Sequence, residues 1–348
     1  MTTSVYALTS LDWAQTFTQR GYPLTSLPYW LDGIYKDSSL LGRHVASNTL
    51  AAFREEFNFD LPEISRILES EDGTVKFQMK FHDGLEVETV LIPFHKRFTV
   101  CLSTQVGCAM NCSFCYTGTQ GLKRHLSAGE IVGQYVKAFN FLLEKDAMAV
   151  KPNIVFMGQG EPLHNVESVK KAIEVLNDTK CVGVGQRQMT LSTVGFVPGI
   201  RTLVDFPKIN WALSLHSPFD EQRDVLIPLN KKYPLDEVLG ELDKLQEVKR
   251  QYITYEYLMI KDFNMSDEHV EGLVSKLGSR RALVNLIAFN PFPGSQWERP
   301  DAEAIEEFRK KLVTKKLRVM VRTTKGDDIL AACGQLKINT MARNYGQQ

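Results

Sequence analysis

The stretch "GCAMNCSFCYTG", residues 107–118, places Cys108, Cys112 and Cys115 in a C-x3-C-x2-C spacing, half of the 6 cysteines in a chain of 348 residues. Three thiols this close ask for a shared ligand, and zinc or an iron-sulfur cluster suits three thiolates. A structural zinc ion needs a fourth protein ligand, for which His125, ten residues on, is the candidate. Such sites more often pair two short cysteine knuckles, and only one is present. A [4Fe–4S] cluster held by three cysteines leaves one iron open to a small molecule, and the spacing fits that demand. Three unrelated buried thiols are the remaining reading.

The flanks say where this loop sits. Before it, "FTVCLS" (98–103) reads as a strand. After it, "SAGEIVGQYVKAFNFLLEK" (127–145) reads as a helix opened by a capping box of Ser127 and Glu130. The alternation then continues. Strands are predicted at 153–158, 188–193, 209–216, 253–260, 283–290 and 317–324, with helices near 165–178, 236–249, 266–279 and 301–315. Repeated β-α units call for a parallel sheet with right-handed crossovers. Their number suits a closed or partly open, TIM-like β/α barrel in the α/β class. The cysteine loop then follows the first barrel strand, on the rim where barrels place ligands.

The first 96 residues differ. Residues 9–70 read as mainly helical, and 73–93 as a β-hairpin turning at His82-Asp83-Gly84. The expected division is a small helical accessory domain over 1–72, a hairpin connector over 73–96, the barrel over 97–336 and a tail over 337–348.

Composition is that of an ordinary soluble protein, with 43% hydrophobic and 24% charged residues and a formal net charge of zero. No basic-then-apolar signal segment opens the chain, and no apolar run approaches the roughly 18 residues of a membrane span. The unevenly clustered cysteines do not resemble a secreted disulfide framework, so a reducing cytoplasm is the expected compartment. Residues 1–96 carry 8 Lys/Arg against 13 Asp/Glu, a balance of −5 that the remainder offsets. Basic clusters at 123–125, 231–232, 280–281, 309–311 and 315–318 permit phosphate contacts, although each alone reads as a solvated face.

The cysteine motif resembles that of the radical S-adenosylmethionine (SAM) superfamily. "MGQGEPLHN" (157–165), "LSTVGFVPGI" (191–200), "SLHSPFDEQRDVLIPLNKKYP" (214–234), "NPFPG" (290–294) and "GDDILAACGQL" (326–336) sharpen this. Together they resemble the RlmN/Cfr family of adenine methyltransferases, over residues 73–336 and closer to the RlmN branch. The resemblance implies a [4Fe–4S] cluster on Cys108, Cys112 and Cys115. It implies SAM contacts from Gly160, Glu161, Ser192, Ser214, Leu215, His216 and Asn290. Read singly, these residues are equally a β-α turn, loop caps or core polar groups. A lone cysteine is more often structural, but the resemblance makes Cys333 the carrier of a methyl group and Cys101 the thiol that releases product through a transient disulfide. Cys181 matches no motif and reads as a bystander. Glu88, otherwise an exposed hairpin carboxylate, matches the family's candidate general base.

The implied reaction is radical methylation of adenine at C2, or at C8 as in the Cfr-like outcome. C2 is an electron-poor ring carbon that direct transfer from a sulfonium does not favour. The implied partners are ribosomal or transfer RNA and a small electron donor such as flavodoxin or ferredoxin, and the protein is expected to act as a monomer. Two stretches depart from the family pattern: the acidic N-terminal 70 residues, and "KDFNMSDEH" (261–269). Other classes remain open at this point. One is a radical SAM enzyme acting on a small molecule or peptide, against which "AACGQL" speaks. The other is a non-catalytic iron-sulfur or zinc RNA-binding module, against which the set of SAM-loop matches speaks.

Overall fold

In the computed structural model, which describes residues 2–35, 46–94 and 97–338, the apolar runs assemble into one ten-stranded sheet. A short pair, β1 (Thr3–Ser4) and β2 (Phe57–Asn58), stands apart from it. The sheet contains β3 (Glu63–Glu69), β4 (Val75–Lys80), β5 (Glu86–Phe94) and β6 (Arg97–Cys101). After a separate antiparallel pair, β7 (Gln105–Gly107) and β8 (Leu122–His125), it continues through β9 (Asn153–Phe156), β10 (Met189–Thr193) and β11 (Asn210–Ser214). It ends with β12 (Ile253–Met259), β13 (Ala282–Ala288) and β14 (Val319–Arg322).

The strand order is β14-β13-β12-β11-β10-β9-β6-β5-β4-β3. From β6 to β14 every pairing is parallel, and from β6 to β3 every pairing is antiparallel. β14 and β3 are the free edges, so the barrel is open. The chain after β14 spans that gap. The Gly326 amide donates to Asp72 (3.0 Å), the Ser70 hydroxyl to Asp328 (2.6 Å) and the Lys76 ammonium to the Leu330 carbonyl (3.0 Å).

The long helix Ala128–Lys145 begins at Ser127 with the expected reciprocal bonds to Glu130. Its Ile131, Val132, Tyr135, Val136 and Leu142 are buried in the main core, the stripe that a helical period predicts. The N-terminal region does form helices, Ser10–Gln19, Leu27–Tyr35 and Ser47–Glu56, around Trp13, Phe17, Trp30 and Phe53.

The helical reading of residues 9–70 fails over its last part, where Glu63–Glu69 is a strand. Its backbone groups pair with β4 instead, and a bulge interrupts the register between Ile64 and Arg66. Ile64 and Ile67, three apart, oppose Met79 and Phe77 on one face of β4, so the inserted residue imitates a helical spacing. The hairpin expected over 73–93 is present as β4 and β5, and β5 pairs directly with the first barrel strand. Residues 339–348 of the expected tail lie outside the described residues.

Candidate active site

The cysteine loop is held at its base by β7 and β8. Gly107 has φ +77°, and a Cβ there would lie 1.8 Å from the Gly121 carbonyl oxygen, so no other residue fits. The Cys108 amide donates to that same oxygen (3.1 Å), the Cys115 amide to Cys112 (3.1 Å) and the Ser113 amide to Leu226 (3.0 Å). All three thiols face one cavity. Burial pushes Cys108 up to about 12 and raises Cys112 and Cys115, and the nearness of Cys115 adds to the rise at the other two. Thiols that burial holds protonated become ligands when a metal replaces their protons, and three on one wall are the donor set a cluster needs. Among the described residues, no three His, Cys, Asp or Glu side chains gather around a single-ion position. His125, the candidate fourth zinc ligand, meets Gln105 (2.9 Å) and packs against His164.

The same cavity has about 750 Å³ of empty space, counting the open solvent at its mouth. Gly158, Gly160, Glu161, Ser192, Ser214 and Cys333 also line it. Gly160 has φ +104°, and a Cβ there would sit 2.6 Å from the Cβ of Gln105. Burial lifts Glu161 to about 7, against the hydrogen bonds that its carboxylate accepts from the amides of Val194 (3.0 Å) and Leu163 (3.0 Å). Both oxygens are thereby fixed in place.

The remaining expected SAM contacts are placed differently. Leu215 and His216 are buried behind the wall. His216 has φ +60°, accepts the Leu258 amide at Nδ1 (3.1 Å) and packs edge-on against Phe114. Burial, with the Arg223 charge adding, lowers it to about 3, so the imidazole is neutral. Asn290 turns to the Cys333 segment and donates to the Cys333 carbonyl (3.1 Å).

Sequence reasoning passed over three residues here. Arg223 is fully buried and donates to the carbonyls of Val194 (2.7 Å), Ser214 (3.2 Å) and Leu215 (3.2 Å), tying two rim loops together. Glu256 lines the cavity and accepts the Ser192 hydroxyl (3.0 Å). Burial acts to lower Arg322, and the nearby Cys333, Glu256 and Cys101 outweigh it, so the guanidinium stays above its ordinary range. A carboxylate in the middle of the apolar run "ITYEYLMI" was the one signal that pointed to Glu256.

Cys101 ends β6 and packs under Ala331 and Leu336 of the Cys333 segment. Burial and then the neighbouring Cys333 push Cys101 up to about 12. Burial pushes Cys333 up to about 11, and Arg322 opposes that rise. All six cysteines are free thiols, so the expected disulfide has no counterpart here. Cys181 is buried in the main core.

Glu88 is 5% exposed, not an exposed hairpin carboxylate. It pairs with Lys76 (3.0 Å) and accepts the Lys337 amide (2.8 Å). It lines a second cavity together with Arg66, Gln78, Tyr116 and Gln335, and the segment 334–337 lies between it and Cys333. Several of the basic clusters are engaged in surface ion pairs: Arg280 with Asp243, Arg309 with Glu306, Lys311 with Asp267 and Lys315 with Glu271. Such exposed pairs are weak and are screened by salt.

A triple-cysteine loop on the rim of an open β/α barrel defines a class, and residues 102–274 match the radical SAM superfamily. The chain is 41% identical over 304 residues to a probable dual-specificity RNA methyltransferase RlmN of Akkermansia muciniphila, covering 84% of this chain and 83% of that protein. It superposes on the crystal structure of a radical SAM methyltransferase from Sphaerobacter thermophilus with a TM-score of 0.90 and 34% identity, covering 96% of this chain and 99% of that one. The chain belongs to the RlmN family of radical SAM proteins. No helix among the described residues is long and apolar enough to cross a membrane.

Proposed function

We propose that this protein is a radical SAM RNA methyltransferase that places a carbon, carried on Cys333, onto C2 of an adenine in ribosomal or transfer RNA. The observation that carries the reading is the single cavity lined by Cys108, Cys112, Cys115 and Cys333. Cys108, Cys112 and Cys115 are the residues that would hold a [4Fe–4S] cluster. When bound, the cluster and SAM supply the reducing electron, the methyl group and the radical that activates it.

The chain's own residues do the rest. Gly160 lets the rim loop pack directly against Gln105, and Glu161 presents a fixed carboxylate to an amino group or ribose. An incoming cation would draw that carboxyl down toward its ionised form. Ser192, Ser214 and Glu256 add polar groups on the same wall. Leu215, His216 and Asn290 act from behind it, by fixing the rim loops and the Cys333 carbonyl.

Cys333 holds the transferred carbon, and Glu88 takes the proton from the adenine ring carbon. For that, Glu88 and the substrate must meet, so the Lys337 amide has to leave Glu88 as the base enters. The Cys101 thiolate then attacks the Cys333 sulfur. The S–S bond forms, the S–C bond breaks, and its electron pair stays with the carbon, which takes up a proton to become the methyl group. That disulfide belongs to one stage of the cycle and returns to two thiols by exchange with an external dithiol, which is oxidised in its place. A cytoplasmic monomer served by a small flavodoxin or ferredoxin completes the reading.

The test is mass analysis of nucleosides from ribosomal and transfer RNA incubated with anaerobically reconstituted protein, SAM and a reductant. The reading expects 2-methyladenosine. A product methylated only at C8 would move the activity to the Cfr-like outcome, and unmodified RNA with consumed SAM would favour a small-molecule or peptide substrate.

A further inference from the structure

Lysine is rarely buried without a partner, because its ammonium loses its hydration. Lys76, within β4, is nonetheless 7% exposed. In the antiparallel register Gln78 opposes Glu88 and Lys76 opposes Val90, so Lys76 and Glu88 are diagonal neighbours on one face. The ammonium reaches Glu88 Oε1 at 3.0 Å and donates to the Leu330 carbonyl at 3.0 Å. Leu330 lies three residues before Cys333 and holds a left-handed backbone, φ +53°, so its carbonyl direction depends on being pinned.

One buried charge therefore ties the candidate base on β5 to the segment that carries the candidate carrier thiol. The groups around Glu88 are few. Lys76 faces it from β4, Arg66 from β3 and the Lys337 amide from the C-terminal segment, while Gln78, Gln335 and Asp328 share its cavity. Burial raises the proton affinity of Glu88, and Lys76 is the largest influence against that rise.

We infer that Lys76 is a positioning residue for methyl transfer, keeping Glu88 as the carboxylate that receives the adenine proton and holding the Cys333 segment in place beside it. This rests on the reading of Glu88 as the base. A base contributes about 10²–10⁴-fold to such a step, and Lys76 acts by keeping that base ionised. Removing the ammonium raises the affinity of Glu88 for its proton, so the acid limb of the pH–rate profile moves to higher pH and the rate at pH 7 falls.

The experiment compares single-turnover RNA methylation across pH for the full chain and for Lys76→Met, Lys76→Gln, Lys76→Arg, Glu88→Gln and the Lys76→Met/Glu88→Gln pair. Cluster iron and methylated Cys333 are measured alongside. Carboxyl infrared difference spectra without RNA report the Glu88 titration directly, as the band that Glu88→Gln removes. Lys76→Met and Lys76→Gln are expected to keep cluster and methylated Cys333, to lose about 10–100-fold at pH 7 and to raise the Glu88 midpoint. Lys76→Arg is expected to bring the profile back toward wild type. In the Glu88→Gln background, Lys76→Met is expected to add little, because the two act as one unit.

A slow Glu88→Gln beside Lys76 variants with unshifted profiles and midpoints would overturn this inference alone. A Glu88→Gln variant at wild-type rate would overturn the base reading and this inference with it. Should Lys76→Met lose its cluster, Lys76→Gln decides, since it can still donate to the Leu330 carbonyl but carries no charge.

Discussion

Gly160→Ala puts the construction of the cavity to a quantitative test. The residue lies at φ +104°, which L side chains rarely adopt. Holding alanine there costs about 1–3 kcal/mol. The added methyl would also lie 2.6 Å and 2.7 Å from Gln105 Cβ and Cγ and 2.9 Å from its amide nitrogen. Gln105 opens β7 and cannot retreat freely, so overpacking adds about 1–3 kcal/mol. The combined strain is on the order of 2–6 kcal/mol, and local relaxation at Gln105 is the way to relieve it. Relaxation has its own consequence, because Gln105 Oε1 accepts the Glu161 amide at 2.9 Å. Glu161 would then move.

The assay is SAM affinity of the reconstituted protein by equilibrium dialysis, paired with urea unfolding. Affinity is expected to fall at least about tenfold, equivalent to about 1.4 kcal/mol, and the unfolding midpoint to drop. Gly84→Ala is the control. It has φ +79° in the hairpin turn and nothing within 4 Å of an added Cβ. It carries backbone strain without crowding and is expected to lose stability while binding SAM normally. Wild-type SAM affinity in Gly160→Ala would refute the argument, because strain without consequence at the cavity means the loop does not position the cofactor.

Two further predictions concern the lone cysteines and one buried histidine. Cys333→Ala is expected to abolish RNA methylation and leave no methylated cysteine on mass analysis of the purified chain. Cys101→Ala is expected to accumulate RNA joined to protein as nuclease-sensitive mass, and Cys181→Ala to turn over near the wild-type rate. Normal turnover by Cys101→Ala without trapped RNA would remove the two-thiol mechanism. His216 titrates at about 3 in the fold against 6.5 for an unperturbed imidazole, chiefly through burial. Below pH 6.5 the unfolded chain binds a proton that the native one refuses, so stability above that pH is lost on acidification at up to about 1.4 kcal/mol per pH unit until about pH 3. His216→Asn tolerates φ +60° and lacks that proton site. Its stability deficit against wild type is expected to shrink from pH 7 to pH 5 by urea unfolding, and parallel curves would refute the burial argument.

The sequence alone determined what depends on near neighbours. The capping box at Ser127 and Glu130, the apolar period of the helix that follows, and the strand runs are set within a few residues of chain, and the structure reproduces them. The C-x3-C-x2-C spacing likewise places its three thiols on one loop, whatever the rest of the chain does. The helical reading failed at Ile64 and Ile67 for the complementary reason. Their shared face exists only because a bulge meets β4, a partner outside any local window.

The site's electrostatics lie further still from local reach. Lys76 meets Leu330 across 254 positions of chain, and Glu88 meets the Lys337 amide across 249. Burial turned Glu88 from an exposed hairpin carboxylate into a paired one, and closure of the C-terminal segment over the open barrel placed it and Cys333 in adjoining cavities. Proton affinity follows desolvation and the charges within a few ångströms. Those quantities have no value until the tertiary fold brings distant residues together, so the sequence named the chemical groups and only the structure assigned each its neighbours.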